Sequence, residues 1–168
     1  AADAVRELKE AGITKVVMMT GDSERTAAAI AKRVGVDEYY SEVLPEDKAS
    51  FVEKEKELGH KVIMIGDGIN DSLALSSANV GIAISDGAAI AREIADVTIS
   101  ADNLHEIVTL KRLSTALMKR IHNNYRTIIG INGGLIALGV TGIIMPTTSA
   151  LLHNMSTLTI SLRSMRNL

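Results

Sequence analysis

The sequence predicts an α/β fold, a parallel sheet with flanking helices, followed by a two-helix transmembrane hairpin. Three observations predict it. In the front part, short β-branched or Met-rich runs alternate with helical patterns, the signature of parallel strands joined by crossover helices. All 20 acids fall between Asp3 and Glu106. From Thr127 to Leu162, 36 residues pass without one Lys, Arg, Asp or Glu, and His153 is the one titratable side chain among them. A bilayer core needs roughly 20 apolar residues per helix, so this stretch and its flanks are long enough for two spans.

Val5, Leu8 and Ala11 stripe a first helix that Gly12 ends, and Lys15 to Met19 reads as a buried strand. Asp22 or Ser23 caps a helix reaching Val34, with Gly35 as its stop. Tyr39 to Val43 is a second strand. Pro45 suits the first turn of the next helix, Glu46 and Asp47 complement its positive end, and Gly59 closes it. Lys61 to Ile65 is the clearest strand, followed by a glycine-bearing loop and a helix through Ala78. Val80 to Ile84, a short helix from Ala88 to Ala95, and Val97 to Ile99 finish the sheet.

An amphipathic helix begins at Asn103, with Leu104, Ile107, Leu110, Leu113, Leu117 and Ile121 spaced by three or four, and no proline stops it before the first span. The spans are Ile128 to Met145, ended by Pro146, and Ala150 to Leu168. Lys111, Arg112, Lys119, Arg120 and Arg126 precede the hairpin, Arg163 and Arg166 end it, and the Thr147–Ser149 turn carries no charge. That asymmetry predicts a multi-pass protein of the plasma membrane with residues 1–126 and the C-terminus cytoplasmic. A helical hairpin buried inside a large soluble protein is the alternative.

The net charge of −2 divides into −4 up to Arg126 and +2 beyond it. No basic face for nucleic acid is present, the absence of Cys excludes a disulfide scaffold, and 46% hydrophobic residues exclude a disordered chain. The first residue is Ala and no cleavable signal precedes the pattern, so a piece of a longer protein is expected.

Two strands end in acidic loops, Thr20-Gly21-Asp22 and Gly66-Asp67-Gly68-Ile69-Asn70-Asp71. In an open parallel sheet both emerge at the carboxyl edge, where ligands bind. Asp67 and Asp71 are hard oxygen ligands suited to Mg²⁺, which takes one or two carboxylates plus phosphate oxygens. Asn70 adds a neutral donor, Thr20 a hydroxyl and Lys48 a compact cation. Taken singly, each loop is also a common turn and Lys48 a solvated lysine; together they form a phosphate site.

Met19-Thr20-Gly21-Asp22, Leu44-Pro45-Glu46-Asp47-Lys48, Gly66 to Asp71 with Ser72-Leu73-Ala74-Leu75, and Val80-Gly81-Ile82-Ala83 resemble, in order, the phosphorylation-domain motifs of P-type ATPases. Ile65 before the third motif, and only two spans after it, resemble the heavy-metal-transporting class. The resemblance implies a haloacid-dehalogenase-like sheet, incomplete here. It divides the chain into the C-terminal part of a phosphorylation domain (1–102), a connecting amphipathic helix (103–126) and a transmembrane hairpin (127–168).

The resemblance also implies that Asp67 and Asp71 hold Mg²⁺, Asn70 and Lys48 contact the phosphoryl group, and the Thr20-Gly21-Asp22 loop positions it. The family's nucleophile, in Asp-Lys-Thr-Gly-Thr, is absent between Ala1 and Leu168. So are the ATP-binding domain and earlier membrane helices, which the missing N-terminal remainder of the chain is expected to supply. The nucleophile's strand is expected between Lys15–Met19 and Lys61–Ile65, and its absence should leave a gap or force those two strands to pair, leaving the fragment marginally stable.

Polar groups within a span are functional candidates. His153-Asn154-Met155-Ser156-Thr157 is similar to the His-Glu-Gly-Ser/Thr-Thr pattern of a heavy-metal subgroup, with Asn154 and Met155 replacing Glu and Gly. His153, Ser156 and Thr157 are therefore candidate ligands of a transported divalent ion (Zn, Co, Cd, Ni or Mn), with Cu as the alternative. By the same resemblance Asn132 stands where zinc and cadmium pumps are expected to carry Lys and copper pumps Asn, and interhelical bonding accounts for it at least as well; Gly130-x-x-x-Gly134 allows close helix packing. The expected function is ATP-driven heavy-metal export. The alternatives are a membrane-anchored phosphatase of the same fold and a catalytically silent membrane anchor.

Overall fold

The computed structural model describes residues 2–67, 70–84, 93–100 and 104–165. The elements are α1 (Ala2–Glu10), β1 (Val17–Met19), α2 (Glu24–Val34), β2 (Glu38–Tyr40), α3 (Pro45–Glu57), β3 (Ile63–Gly66), α4 (Ser72–Ser77), β4 (Val80–Ile84), β5 (Val97–Ile99), α5 (His105–Val140) and α6 (Pro146–Ser164). Two compact units divide the chain, residues 1–111 and 112–168.

The first unit holds two parallel sheets. β1 pairs with β2, Val17 opposite Glu38, and β3–β4–β5 form the other, with Ile63 opposite Val80 and Ile82 opposite Val97. Among the described residues β1 and β3 are not paired, so of the two expected outcomes direct pairing is not the one observed.

Alternation along the strands sends residues to opposite faces of the larger sheet. Met64 packs with Ala49, Val52, Ala74 and Leu75, whereas Ile65 packs with Ile82, Ile99 and Ile107. The first cluster seats α3 and α4 and the second seats the start of α5, so the loop after β3 is anchored by packed apolar residues. Gly81 is required by that packing: a Cβ there would lie 2.7 Å from the backbone oxygen of Leu75.

α2 ends at Gly35 with φ 80°, the left-handed stop its sequence predicts, and Gly35 N–H donates to Ala31 O. The second strand differs from expectation. It runs over Glu38–Tyr40 rather than Tyr39–Val43, because Glu42 takes φ 54° and the chain turns back, Glu42 N–H donating to Asp22 O and Val43 N–H to Thr20 O. Most of the helix expected over Ala88–Ala95, with Gly68, Ile69, Asn103 and Arg166, lies outside the described residues.

In the second unit α5 and α6 form a hairpin with two departures from expectation. The turn is Thr141–Met145, with Gly142 at φ 73°, and Pro146 opens α6 instead of ending the first span, so Thr147–Ser149 form the first helical turn. No helix among the described residues is long and apolar enough to cross a membrane, against the two predicted spans. Between Arg126 and the turn α5 leaves only Thr127–Val140, which rises about 21 Å against a hydrocarbon core of about 30 Å. In α6, His153, Asn154 and many Ser and Thr dilute the apolar residues. Among the described residues Gly130 and Gly134 meet no atom within 4 Å of an added Cβ.

Candidate functional site

The loops after β1 and β3 leave the carboxyl ends of their strands, as parallel topology requires. After β1, the Thr20 hydroxyl donates to Asp22 Oδ2 (2.9 Å) and accepts from Asp22 N–H (3.1 Å), locking a tight polar turn before α2. Thr20 N–H also donates to Tyr40 O (3.0 Å), which ties the turn to β2. Gly21 lies beside it, with Val43 O at 3.8 Å from an added Cβ.

After β3 the structure brings together residues far apart in sequence. Lys48 Nζ lies 2.7 Å from Asp71 Oδ1, and both side chains are almost buried, 14% and 12% exposed. Lys48 sits in the first turns of α3, whose start is held by Asp47 Oδ2 accepting Leu44 N–H (3.2 Å). Asp71 precedes α4, where Leu75 N–H donates to Asp71 O (2.8 Å). Asn70 N–H reaches Asp67 Oδ1 at 3.4 Å across the loop.

The donor chemistry here fits Mg²⁺: two carboxylates on one short loop, one of them buried, with a cation beside it. No group of three or more His, Cys, Asp or Glu able to hold a metal occurs among the described residues. Mg²⁺ needs none, since substrate oxygens and water complete its shell.

A feature not foreseen from sequence lies beside β1. Glu24 accepts from the Ser41 hydroxyl (2.5 Å) and from Tyr39 Oη (2.8 Å), which holds its carboxyl below the ordinary carboxylate range and the Tyr39 phenol above its own. Tyr40 tilts onto Phe51, ring centroids 5.3 Å apart. The Tyr39-Tyr40 pair, in a chain with three Tyr and one Phe, was the available signal.

In the hairpin, His153 Nδ1 lies 2.9 Å from Asn132 Oδ1 across the two helices. The Ser156 and Thr157 hydroxyls donate to the backbone oxygen of His153 at 2.8 and 3.0 Å. Of the three candidate ligands, the His153 ring hydrogen-bonds to the opposite helix, and the two hydroxyls bond within their own.

A profile of haloacid dehalogenase-like hydrolases matches residues 1–79. A zinc-exporting P-type ATPase of Mycobacterium marinum is 36% identical over 167 residues, 99% of this chain and 23% of that protein. A copper-exporting P-type ATPase of Bacillus subtilis is 39% identical over 163 residues, 97% of this chain and 20% of that protein. The solved structure of a zinc-transporting PIB-type ATPase in its E2.Pi state shares 32% identity with a TM-score of 0.82, covering 98% of this chain and 27% of that one. The chain thus spans between a fifth and a quarter of the length of these curated relatives. Its fold is haloacid dehalogenase-like, and zinc- and copper-exporting P-type ATPases are among the homologues that align with nearly all of it.

Proposed function

We propose that this chain is part of an ATP-driven exporter of a transition-metal cation. It contributes the Mg²⁺ and phosphate side of an aspartyl-phosphate site and two helices of the transport region. The observation that carries this reading is the nearly buried Lys48–Asp71 pair at the end of β3, joining residues 23 apart in sequence. A packed fold holds a cation and a carboxylate there at the edge where parallel sheets bind ligands.

Each residue has a role in that reading. Asp67 and Asp71 hold Mg²⁺, which when bound offsets phosphate charge. Lys48 presents its ammonium to the transferring phosphoryl oxygens, and Asn70 offers its side-chain amide to them. Thr20 turns its hydroxyl toward the group once it exchanges its bond to Asp22. The Asp nucleophile and the ATP-binding surface come from outside these residues, so the isolated chain has no ATPase activity.

The hairpin supplies the membrane part and carries sparse polar groups for the ion, His153 foremost. The charge-free run from Thr127 to Leu162 and its exposed Ile129, Ile136, Leu151 and Leu158 support placement among other helices in a bilayer. Relatives named for zinc and for copper leave the ion itself to experiment. The site assignment is tested by Asp71→Ala in the full-length protein. Metal-stimulated phosphoenzyme is expected to disappear, and an undiminished level would refute the reading.

A further inference from the structure

Asn132 on α5 and His153 on α6 line one cleft of about 630 Å³ with Leu135, Ile136, Pro146 and Ser149. Two polar side chains meet there beside aliphatic walls. The amide oxygen of Asn132 faces His153 Nδ1 at 2.9 Å. An amide oxygen only accepts, so Nδ1 carries the ring proton; in the neutral imidazole Nε2 then keeps the lone pair. The bond therefore selects both the tautomer and the face of the ring. Ser149, one helical turn before His153, lines the same cleft and adds an oxygen to a site whose walls are aliphatic.

We propose that Asn132 is a positioning residue: by accepting the Nδ1 proton of His153 it commits that imidazole to bind the transported ion through Nε2. The proposal rests on the reading of His153 as a cargo ligand. It differs from two simpler roles for Asn132, a direct ligand or a helix staple, in acting wholly through His153. A histidine ligand whose second nitrogen is held by an acceptor is oriented in advance and more basic, and losing that acceptor costs roughly 10–100-fold in metal affinity.

The test uses the full-length protein in lipid, with Co²⁺ alone as the probe and equilibrium dialysis without ATP as the readout. Asn132→Leu is expected to weaken Co²⁺ binding about tenfold. Asn132→Asp, which still accepts the Nδ1 proton, should bind Co²⁺ at least as tightly as the parent, without the loss caused by removing the acceptor. In a His153→Ala background Asn132→Leu should add nothing, since coupling is complete when one residue acts through another. In the metal-free protein, the ¹⁵N spectrum of the labelled imidazole should show a pyridine-type Nε2 that becomes a tautomer mixture in Asn132→Leu.

An additive loss in the double variant overturns the proposal in favour of direct ligation or packing. Unchanged affinity in Asn132→Leu, with a loss in His153→Ala, overturns it while leaving His153 a ligand. Unchanged affinity in His153→Ala removes the ligand reading and the proposal together. If Asn132→Leu does not fold, the Asn132→Asp affinity and the parent's Nε2 signal decide: loss in the first or a protonated Nε2 in the second overturns it.

Discussion

The α-carbon of Gly66 lies against the side chain of Asp71: a Cβ added to Gly66 would fall 2.6 Å from Asp71 Cβ and 2.9 Å from its carboxyl carbon. The last residue of β3 and the residue before α4 thus share one space, and Lys48 bounds Asp71 on the other side. The glycine is there because a side chain would occupy the place of the carboxylate. Gly66→Ala should displace Asp71 without unfolding the sheet. In the full-length protein we expect metal-stimulated phosphoenzyme to fall at least about tenfold, in line with the loss on removing one preorganised electrostatic group. Far-ultraviolet circular dichroism should be retained; normal phosphoenzyme would show that Asp71 tolerates the shift.

Removing Lys48 leaves Asp71 with its charge and little solvent. Lys48→Met should therefore destabilise the first unit by about 1–3 kcal/mol, the cost of stranding a nearly buried charged partner. Lys48→Met combined with Asp71→Asn should recover part of that loss, because the stranded charge is gone. Urea unfolding of the four proteins gives the coupling directly; strictly additive losses would mean that the pair carries no mutual energy.

Leu75 is 1% exposed and packs with Val52 and Met64 beneath the loop after β3, whereas Leu73, two residues earlier on the same helix, is 54% exposed. Leu75→Ala should cost about 2–5 kcal/mol, the transfer loss plus the cavity left behind. Leu73→Ala should stay within about 0.5 kcal/mol. Equal losses at the two positions would contradict this account of the core.

Much of this arrangement is legible in the sequence because it depends on local rules. Gly35 ends α2, Pro45 opens α3 and Val80–Ile84 is a strand, each as its residues predict. The failures fall where tertiary contacts override pattern. Glu42 adopts positive φ because its N–H and that of Val43 bond back to the loop at Thr20 and Asp22, which cuts the second strand short. Pro146 is compatible with either ending one helix or starting the next, and the left-handed turn at Gly142 decides for starting. The site shows the same division. Its residue types and loop positions can be read directly, but the meeting of Lys48 with Asp71 and of Asn132 with His153 depends on packing that no spacing rule encodes.

The edge of the smaller sheet makes a prediction about pH. The Asp37 carboxylate accepts from Lys9 Nζ (2.7 Å) and from Val16 N–H (2.8 Å), tying the end of α1 and the residue before β1 to the entry of β2. The Lys9 hydrogen bond first, and the Val16 backbone bond second, hold the carboxyl below its ordinary value of 3.8. A carboxylate depressed in the folded state binds its proton more readily when unfolded, so folding gains from it above the unfolded value and loses that gain as pH falls through the folded one. Asp37→Asn removes the term. The variant should melt below the parent at neutral pH, by the same margin down to about pH 5, where unfolded carboxyls begin to protonate. The margin should then close as the pH falls past 3.8. A difference in melting temperature that stays constant down to pH 2 would show that Asp37 acts through shape rather than charge.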